Sequence, residues 1–310
     1  MSFVPPDVEG AGRKARPDRP VPRRVPAGYP EAVADRLRVA CVQLNSGIDK
    51  GANLERAERL VARAAATGAD VVLLPEKWNA IGSADTLRAN AEPLDGGETV
   101  DAMSGWARQH GITLVGGSIT ERREGREKLS NTCLVFETSG EVAAVYRKIH
   151  MFDVEVGGQV YRESEAEEPG EETLVADVEG WRVGLTVCYD LRFPELYRIL
   201  ALDGAELITV PAAFTMYTGK DHWELLLRAR AVENQCYVAA ANEWGTHEGG
   251  KASYGRSMIV DPWGLILAQA GDEDTVITAE LDRAHLERIR RDLPSLANRQ
   301  PTAYRWPAGV

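Results

Sequence analysis

The sequence predicts an α/β protein in which a pair of sheets packs together with helices outside. Three observations carry that expectation. Strand-like and helix-like periodicities alternate through the first part of the chain, and hairpin signals are added later. Three apolar runs, VVLL (71–74), VAAVY (142–146) and VGLTV (183–187), each stop at or just before a residue able to do chemistry. No composition break or linker interrupts residues 37–290, so these elements are expected to share one body.

Taken in order, LRVACVQL (37–44) reads as the first strand. NLERAERLVARAAATGAD (53–70) is an amphipathic helix closed by Gly68, and DVVLLPE is the second strand, stopped by Pro75. A helix around 98–110 leads to ITLVGGS (112–118) and then to strands at 131–137 and 142–146. The run Val183 to Val187 is a strand ending at Cys188, and PELYRILAL opens a helix at 194–203. AELITVP (205–211) is a strand, HWELLLRARAVENQ (222–235) a helix, and CYVAAAN (236–242) a strand. Asp261, Pro262, Trp263 and Gly264 form a turn between two strands of a late hairpin. There is no internal repeat.

A thiol at the end of a strand, opening onto a turn and a helix, is presented at the carboxyl edge of a sheet, where open α/β sheets hold their ligands. A helix N-terminus nearby favours the thiolate. Cys188 alone reads first as a small buried hydrophobe, as most free cysteines are. Glu76 and Lys148 change the balance, because each also follows a strand-like run. If the strands lie side by side, a carboxylate, an amine and a thiol converge. Glu76 is then the base for the thiol, and Lys148 the cation for a developing oxyanion.

These residues stand in stretches that resemble the nitrilase, or carbon–nitrogen hydrolase, superfamily, with its Glu–Lys–Cys triad. The stretches are LPEKW, GGSITER (116–122), NTCLVFETSGEVAAVYRKIHMFDVE (131–155), CYDLRFPEL (188–196), HWELLLRARAVENQCYVAAANE (222–243) and KASYGRSMIVDPWG (251–264). Within the superfamily the chain is most similar to the Nit branch, the ω-amidases and deaminated glutathione amidases. The resemblance spans 37–305 and implies a carbon–nitrogen hydrolase domain there. It sharpens the fold to a four-layer αββα sandwich, pairing through helices as an αββα–αββα homodimer, with the helices at 194–203 and 222–235 as interface candidates. It implies catalysis by Glu76, Lys148 and Cys188, with Glu163 in YRES (161–164) as the second glutamate positioning the lysine and the water. Lys148 and the Tyr189 N–H are the expected oxyanion donors.

Substrate binding falls by the same resemblance to Arg192, Phe214 and Thr218. An arginine fork suits a carboxylate, although Arg192 could instead pair with Asp190 or Glu195. The expected reaction is hydrolysis of a small carboxylate-bearing primary amide to acid and ammonia through a thioester. Candidate substrates are α-ketoglutaramate-like acids and deaminated glutathione. CYDLRFPEL, LLRARAVE and ASYGRSM look more like the second group. The alternatives are an N-carbamoyl amidase of the β-ureidopropionase kind and a non-catalytic interaction protein retaining the fold. His222, Trp223 and Glu224 are read as scaffolding, with His222 in a helix cap and Glu224 buttressing Lys148 or Glu76. His150 is read as a packing or hydrogen-bonding residue.

Composition narrows the partners. With 36 basic and 47 acidic residues the formal net charge is −11, which argues against nucleic acid. No run of 18 apolar residues is present, so no membrane partner is expected. Cys41, Cys133, Cys188 and Cys236 are scattered, the usage of a reducing compartment, and a cytoplasmic enzyme is expected. The 5 histidines lack metal-ligand spacing, so neither metal nor cofactor is expected. Residues 1–36 differ from the rest: 7 of the 16 prolines lie in the first 30 residues. They read as an extended Pro/Arg-rich arm, disordered or draped over the body or a neighbouring subunit.

Overall fold

Residues along Arg36–Gln43 point alternately into two different cores. Val39 and Cys41 join one apolar cluster, Ala40 and Val42 another. The same division separates Val71 and Leu73 from Val72, and Cys133 and Val135 from Leu134 and Phe136. A strand with both faces apolar must be covered on both sides, and that requirement builds the layers. The computed structural model describes residues 35–307, and the expected arm at 1–36 lies outside the described residues but for its last two.

The first sheet has seven strands, ordered Thr275–Asp282, Arg36–Gln43, Val71–Leu73, Thr113–Val115, Ser130–Phe136 and Ile119–Glu121, with Val142–Arg147 also paired to Ser130–Phe136. The second has six: Ile266–Gln269, Met258–Val260, Tyr237–Asn242, Leu207–Ala212, Trp181–Leu185 and Val175–Val178. Parallel pairs run through the middle of each, joining Arg36–Gln43, Val71–Leu73 and Thr113–Val115 in one and Trp181–Leu185, Leu207–Ala212 and Tyr237–Asn242 in the other. Val39, Cys41, Val71 and Leu73 meet the inward residues of the second sheet in one cluster. Helices Lys50–Ala65 and Glu98–His110 cover the first sheet through Val61, Ala64, Met103 and Trp106. Pro194–Leu202 and Met216–Asn234 pack on the second through Leu196, Leu200, Trp223 and Leu227. Burial of each such side chain contributes about 1.5–3 kcal/mol. The result is the α/β, four-layer αββα arrangement.

Several boundaries differ from expectation. The first helix starts at Lys50, capped by Asp49, whose side chain accepts the Ala52 N–H, and ends at Ala65 ahead of Gly68. The helix expected at 222–235 starts at Met216, because Thr215 caps it by accepting the Thr218 N–H. The strand before the nucleophile ends at Leu185: Thr186 N–H still reaches Thr209 O, but Asp190 takes the Val187 N–H. Thr275–Asp282 pairs antiparallel with the whole of Arg36–Gln43, and helix Arg283–Asp292 follows. Strands Asp153–Val156 and Gln159–Arg162 form a hairpin turned by Gly157 and Gly158, both at positive φ. No helix among the described residues is long and apolar enough to cross a membrane.

Candidate active site

The carboxyl ends of strands from both sheets meet at one cavity of about 210 Å³, lined among others by Glu76, Lys148, Cys188, Arg192, Phe214 and Thr218. Glu76 lies just beyond Val71–Leu73, bridged to Ser118, and is 3% exposed. Its Oε1 accepts from Lys148 Nζ at 3.0 Å and Asn131 Nδ2 at 2.8 Å. Its Oε2 accepts from Ala213 N–H at 2.9 Å, a donor supplied by the other sheet. Three donors on two oxygens fix this carboxylate in place.

Lys148 is the first residue after Val142–Arg147 and is 2% exposed. Its ammonium also meets Glu163 Oε1 at 2.9 Å and Oε2 at 2.8 Å. Burial opposes a charge here, but Glu163 and Glu76 outweigh it and hold the ammonium well above the usual lysine range. Glu163 opens the short 3₁₀ turn Glu163–Glu165 after the Gly157–Gly158 hairpin, and its Oε2 also accepts the Phe152 N–H at 2.7 Å. Burial opposes its ionisation too, yet Lys148 and then Lys77 keep Glu163 well below the ordinary carboxylate range.

Cys188 opens the 3₁₀ helix Cys188–Arg192 at φ 48°, a left-handed conformation unusual for a residue with a Cβ. Asp190 holds that turn. Its buried carboxylate accepts from Val187 N–H at 2.9 Å, Tyr146 O–H at 2.7 Å and His150 N–H at 3.2 Å, with His150 Nδ1 at 2.7 Å. His150 also stacks on Phe193, the packing and hydrogen-bonding role expected of it. Burial pushes the Cys188 thiol well above its usual value, the Glu76 charge adds to this, and Lys148 opposes it. The sulfur therefore rests as the thiol, so attack requires a base, and Glu76 lines the same cavity.

The Tyr189 N–H has no acceptor among the described residues, whereas the Asp190 N–H is bound to Val187 O. Arg192 pairs with no carboxylate among the described residues. Neither Asp190 nor Glu195 takes it, because Asp190 is committed to Tyr146, His150 and Val187. Its guanidinium lies 5.0 Å from the Phe214 ring centroid and donates to His222 Nδ1 at 3.2 Å. Thr218 reaches the cavity beside Thr215, with their hydroxyls 2.8 Å apart. His222 is thus inside a helix and on Arg192, not in a cap. Glu224 sits half-exposed on Arg228 and buttresses neither Lys148 nor Glu76. Sequence reasoning passed over Asn131, Lys77, Glu167 and His247, which bonds Ser46 O and Ser253 beside the cavity. Asn131 opens the NTCLVF run and Lys77 adjoins Glu76, so position beside a strand end was the available signal.

The fold and the buried cysteine, carboxylate and lysine define a carbon–nitrogen hydrolase. The Carbon-nitrogen hydrolase family model matches residues 38–291, and the chain belongs to that family as an enzyme of amidase type. It is 40% identical over 270 residues to the zebrafish (Danio rerio) protein "Omega-amidase NIT2", covering 87% of this chain and 96% of that one. The crystal structure of Saccharomyces cerevisiae Nit3, a member of branch 10 of the nitrilase superfamily, superposes with a TM-score of 0.79 at 36% identity, covering 87% of this chain and 97% of that one. An amidase from Nesterenkonia sp. AN1, with acrylamide added at its active-site cysteine, matches with a TM-score of 0.70 at 32% identity, covering 83% and 98%.

Proposed function

We propose that the protein hydrolyses a small carboxylate-bearing ω-amide through a thioester on Cys188. The observation that carries this reading is the convergence of Cys188 and Glu76, whose carboxylate also holds Lys148, on one cavity that Arg192 enters with no carboxylate partner among the described residues.

Glu76 takes the thiol proton as sulfur attacks the amide carbon. The carbonyl electrons move to oxygen, where Lys148 Nζ and the Tyr189 N–H hold the oxyanion. Glu76 returns the proton to nitrogen, the carbon–nitrogen bond breaks, and ammonia leaves a thioester. Water then gives its proton to Glu76 and attacks the same carbon. The carbon–sulfur bond breaks, and Glu76 reprotonates the sulfur. Glu163, filled with donors on both oxygens, serves here to seat and charge Lys148 and not as a base.

Arg192 binds the substrate carboxylate while Phe214 and Thr218 shape the wall around it. Between the two substrate classes, α-ketoglutaramate-like acids are favoured, because the zebrafish relative is named an ω-amidase. The test is ammonia release from α-ketoglutaramate, deaminated glutathione, glutamine, N-carbamoyl-β-alanine and a simple nitrile, with wild type and Cys188→Ala compared. Cys188-dependent release from the carboxylate-bearing ω-amides is expected. Release from the carbamoyl compound alone would move the protein to the ureidopropionase kind. Silence from folded protein would overturn the proposal.

We also propose a cytoplasmic homodimer. Ile199 and Leu202 of one outer helix, Leu225 and Val232 of the next, and Trp263 and Leu265 of the nearby turn are large apolar side chains left about half exposed. A patch of that kind marks an interface.

A further inference from the structure

The cavity wall holds a second buried ion pair beside the four groups described above. Lys77, at φ 52° and 8% exposed, places Nζ 3.0 Å from Glu163 Oε1 and 2.8 Å from Glu167 Oε2. Glu167 is wholly buried one turn after Glu163, with its N–H on Glu163 O at 3.0 Å. The Glu163 and Glu167 carboxyls thus lie side by side on one ammonium. Glu167 Oε1 nevertheless receives no donor from the protein.

Two carboxyls held this close repel when both are ionised, which favours a proton on one of them. An oxygen with no donor aimed at it, beside a carboxylate filled with donors, is the oxygen that carries one. Charge agrees. Glu76 and Glu163 balance Lys77 and Lys148, so ionising Glu167 would leave a net negative charge buried in the cluster. The groups that face Glu167 are Lys77 from the Glu76 loop, Glu163 from its own turn and Lys148 beyond it. Arg123 and Arg126 are occupied by Glu168.

We propose that Glu167 and Lys77 are positioning residues of this active site: Glu167 in its protonated form donates to Glu163, Lys77 braces both carboxyls, and together they seat Glu163 on Lys148. The inference rests on Lys148 acting in the reaction as proposed above. Burial pushes Glu167 up to about 7, against the pull of Lys77 and with the push of Glu163, so its proton is lost near neutrality. Above that pH a second charge presses on Glu163 and the seat of Lys148 loosens.

The first readout needs no substrate. Infrared difference spectra of the full chain, taken from about one unit below to one unit above pH 7, should show loss of a protonated carboxyl band that is missing in Glu167→Gln. A band unchanged by that substitution would overturn the proposal. The second readout is kinetic, on whichever ω-amide the panel selects. Glu167→Gln can still donate to Glu163 and Glu167→Leu cannot. The glutamine variant should therefore exceed the leucine variant in kcat by about tenfold or more and lack the wild-type decline in kcat above neutrality. Lys77→Met, or Lys77→Gln should methionine fail to fold, should lower kcat by about tenfold with KM within about twofold. Equal kcat for the Gln and Leu variants, or a Lys77 variant altered in Tm alone, would overturn it. If no panel amide is turned over, the failure belongs to the substrate proposal and the infrared result still decides this one.

Discussion

At the scale of single residues, the site is organised around a carboxylate that never meets the substrate. Asp190 ties Val187, Tyr146 and His150 into the turn that gives Cys188 its left-handed backbone. Asp190→Ala leaves the Val187, Tyr146 and His150 donors without an acceptor at about 1–3 kcal/mol each before relaxation. It is expected to unfold the chain at lower temperature and to reduce activity at least about 100-fold, checked by calorimetry beside ammonia release. Tyr146→Phe removes one donor and should cost about 1 kcal/mol. Arg192→Met keeps the contact with Phe214 and loses the fork, so KM for a carboxylate-bearing amide should rise at least about tenfold with kcat little changed. A kcat defect without a KM change would contradict the carboxylate-binding role.

At the scale of elements, the strands and helices with strong patterns were legible and those formed by long-range pairing were not. VVLL, VAAVY and VGLTV read as strands because they are short, largely apolar runs with no charge inside them. Thr275–Asp282 escaped because its exposure does not alternate, and only pairing along the full length of Arg36–Gln43 makes it a strand. Glu76, Lys148 and Cys188 were legible by their place after strands, helped by resemblance. Glu167 was not, since a carboxylate in a run of acids, EAEEPGEE, reads as solvated until the fold buries it. Gly117 shows what the loops demand. It sits at φ +66°, and a Cβ there would lie 1.9 Å from Pro75 O, next to Glu76. Gly117→Ala must displace that loop. A loss of more than about 2 kcal/mol in stability is expected together with lost activity, and a chemical denaturation curve beside an assay checks both.

At the scale of the whole molecule, the buried carboxyls set the pH range of stability. Burial pushes Glu243 up to about 8, opposed by the Ser46 backbone and hydroxyl donors. A folded value above the unfolded one means a contribution fully present below the unfolded value and lost as pH rises through the folded one. Glu163 works in the other direction, its contribution being lost as pH falls below the ordinary carboxylate range. Tm should therefore fall from pH about 5 to about 8, and Glu243→Gln should flatten that fall. An unchanged slope would remove Glu243 as its source. Assembly is tested on the outer helices: Leu225→Asp with Leu265→Asp should shift a dimer to monomer on a sizing column.

The reacting groups hang from opposite sides of a seam. Glu76 and Lys148 follow strands of the first sheet, while Cys188 and the Ala213 N–H follow strands of the second. Side-chain packing and a few hydrogen bonds, Ala213 N–H to Glu76 and Tyr146 O–H to Asp190 among them, hold those two slabs in register there, and dispersion forces fall off over a fraction of an ångström. Catalysis is thus a gauge of how the slabs are docked. A slip too small to disturb either sheet would separate the base from its thiol, so mild denaturant should silence the enzyme while its secondary structure is still intact.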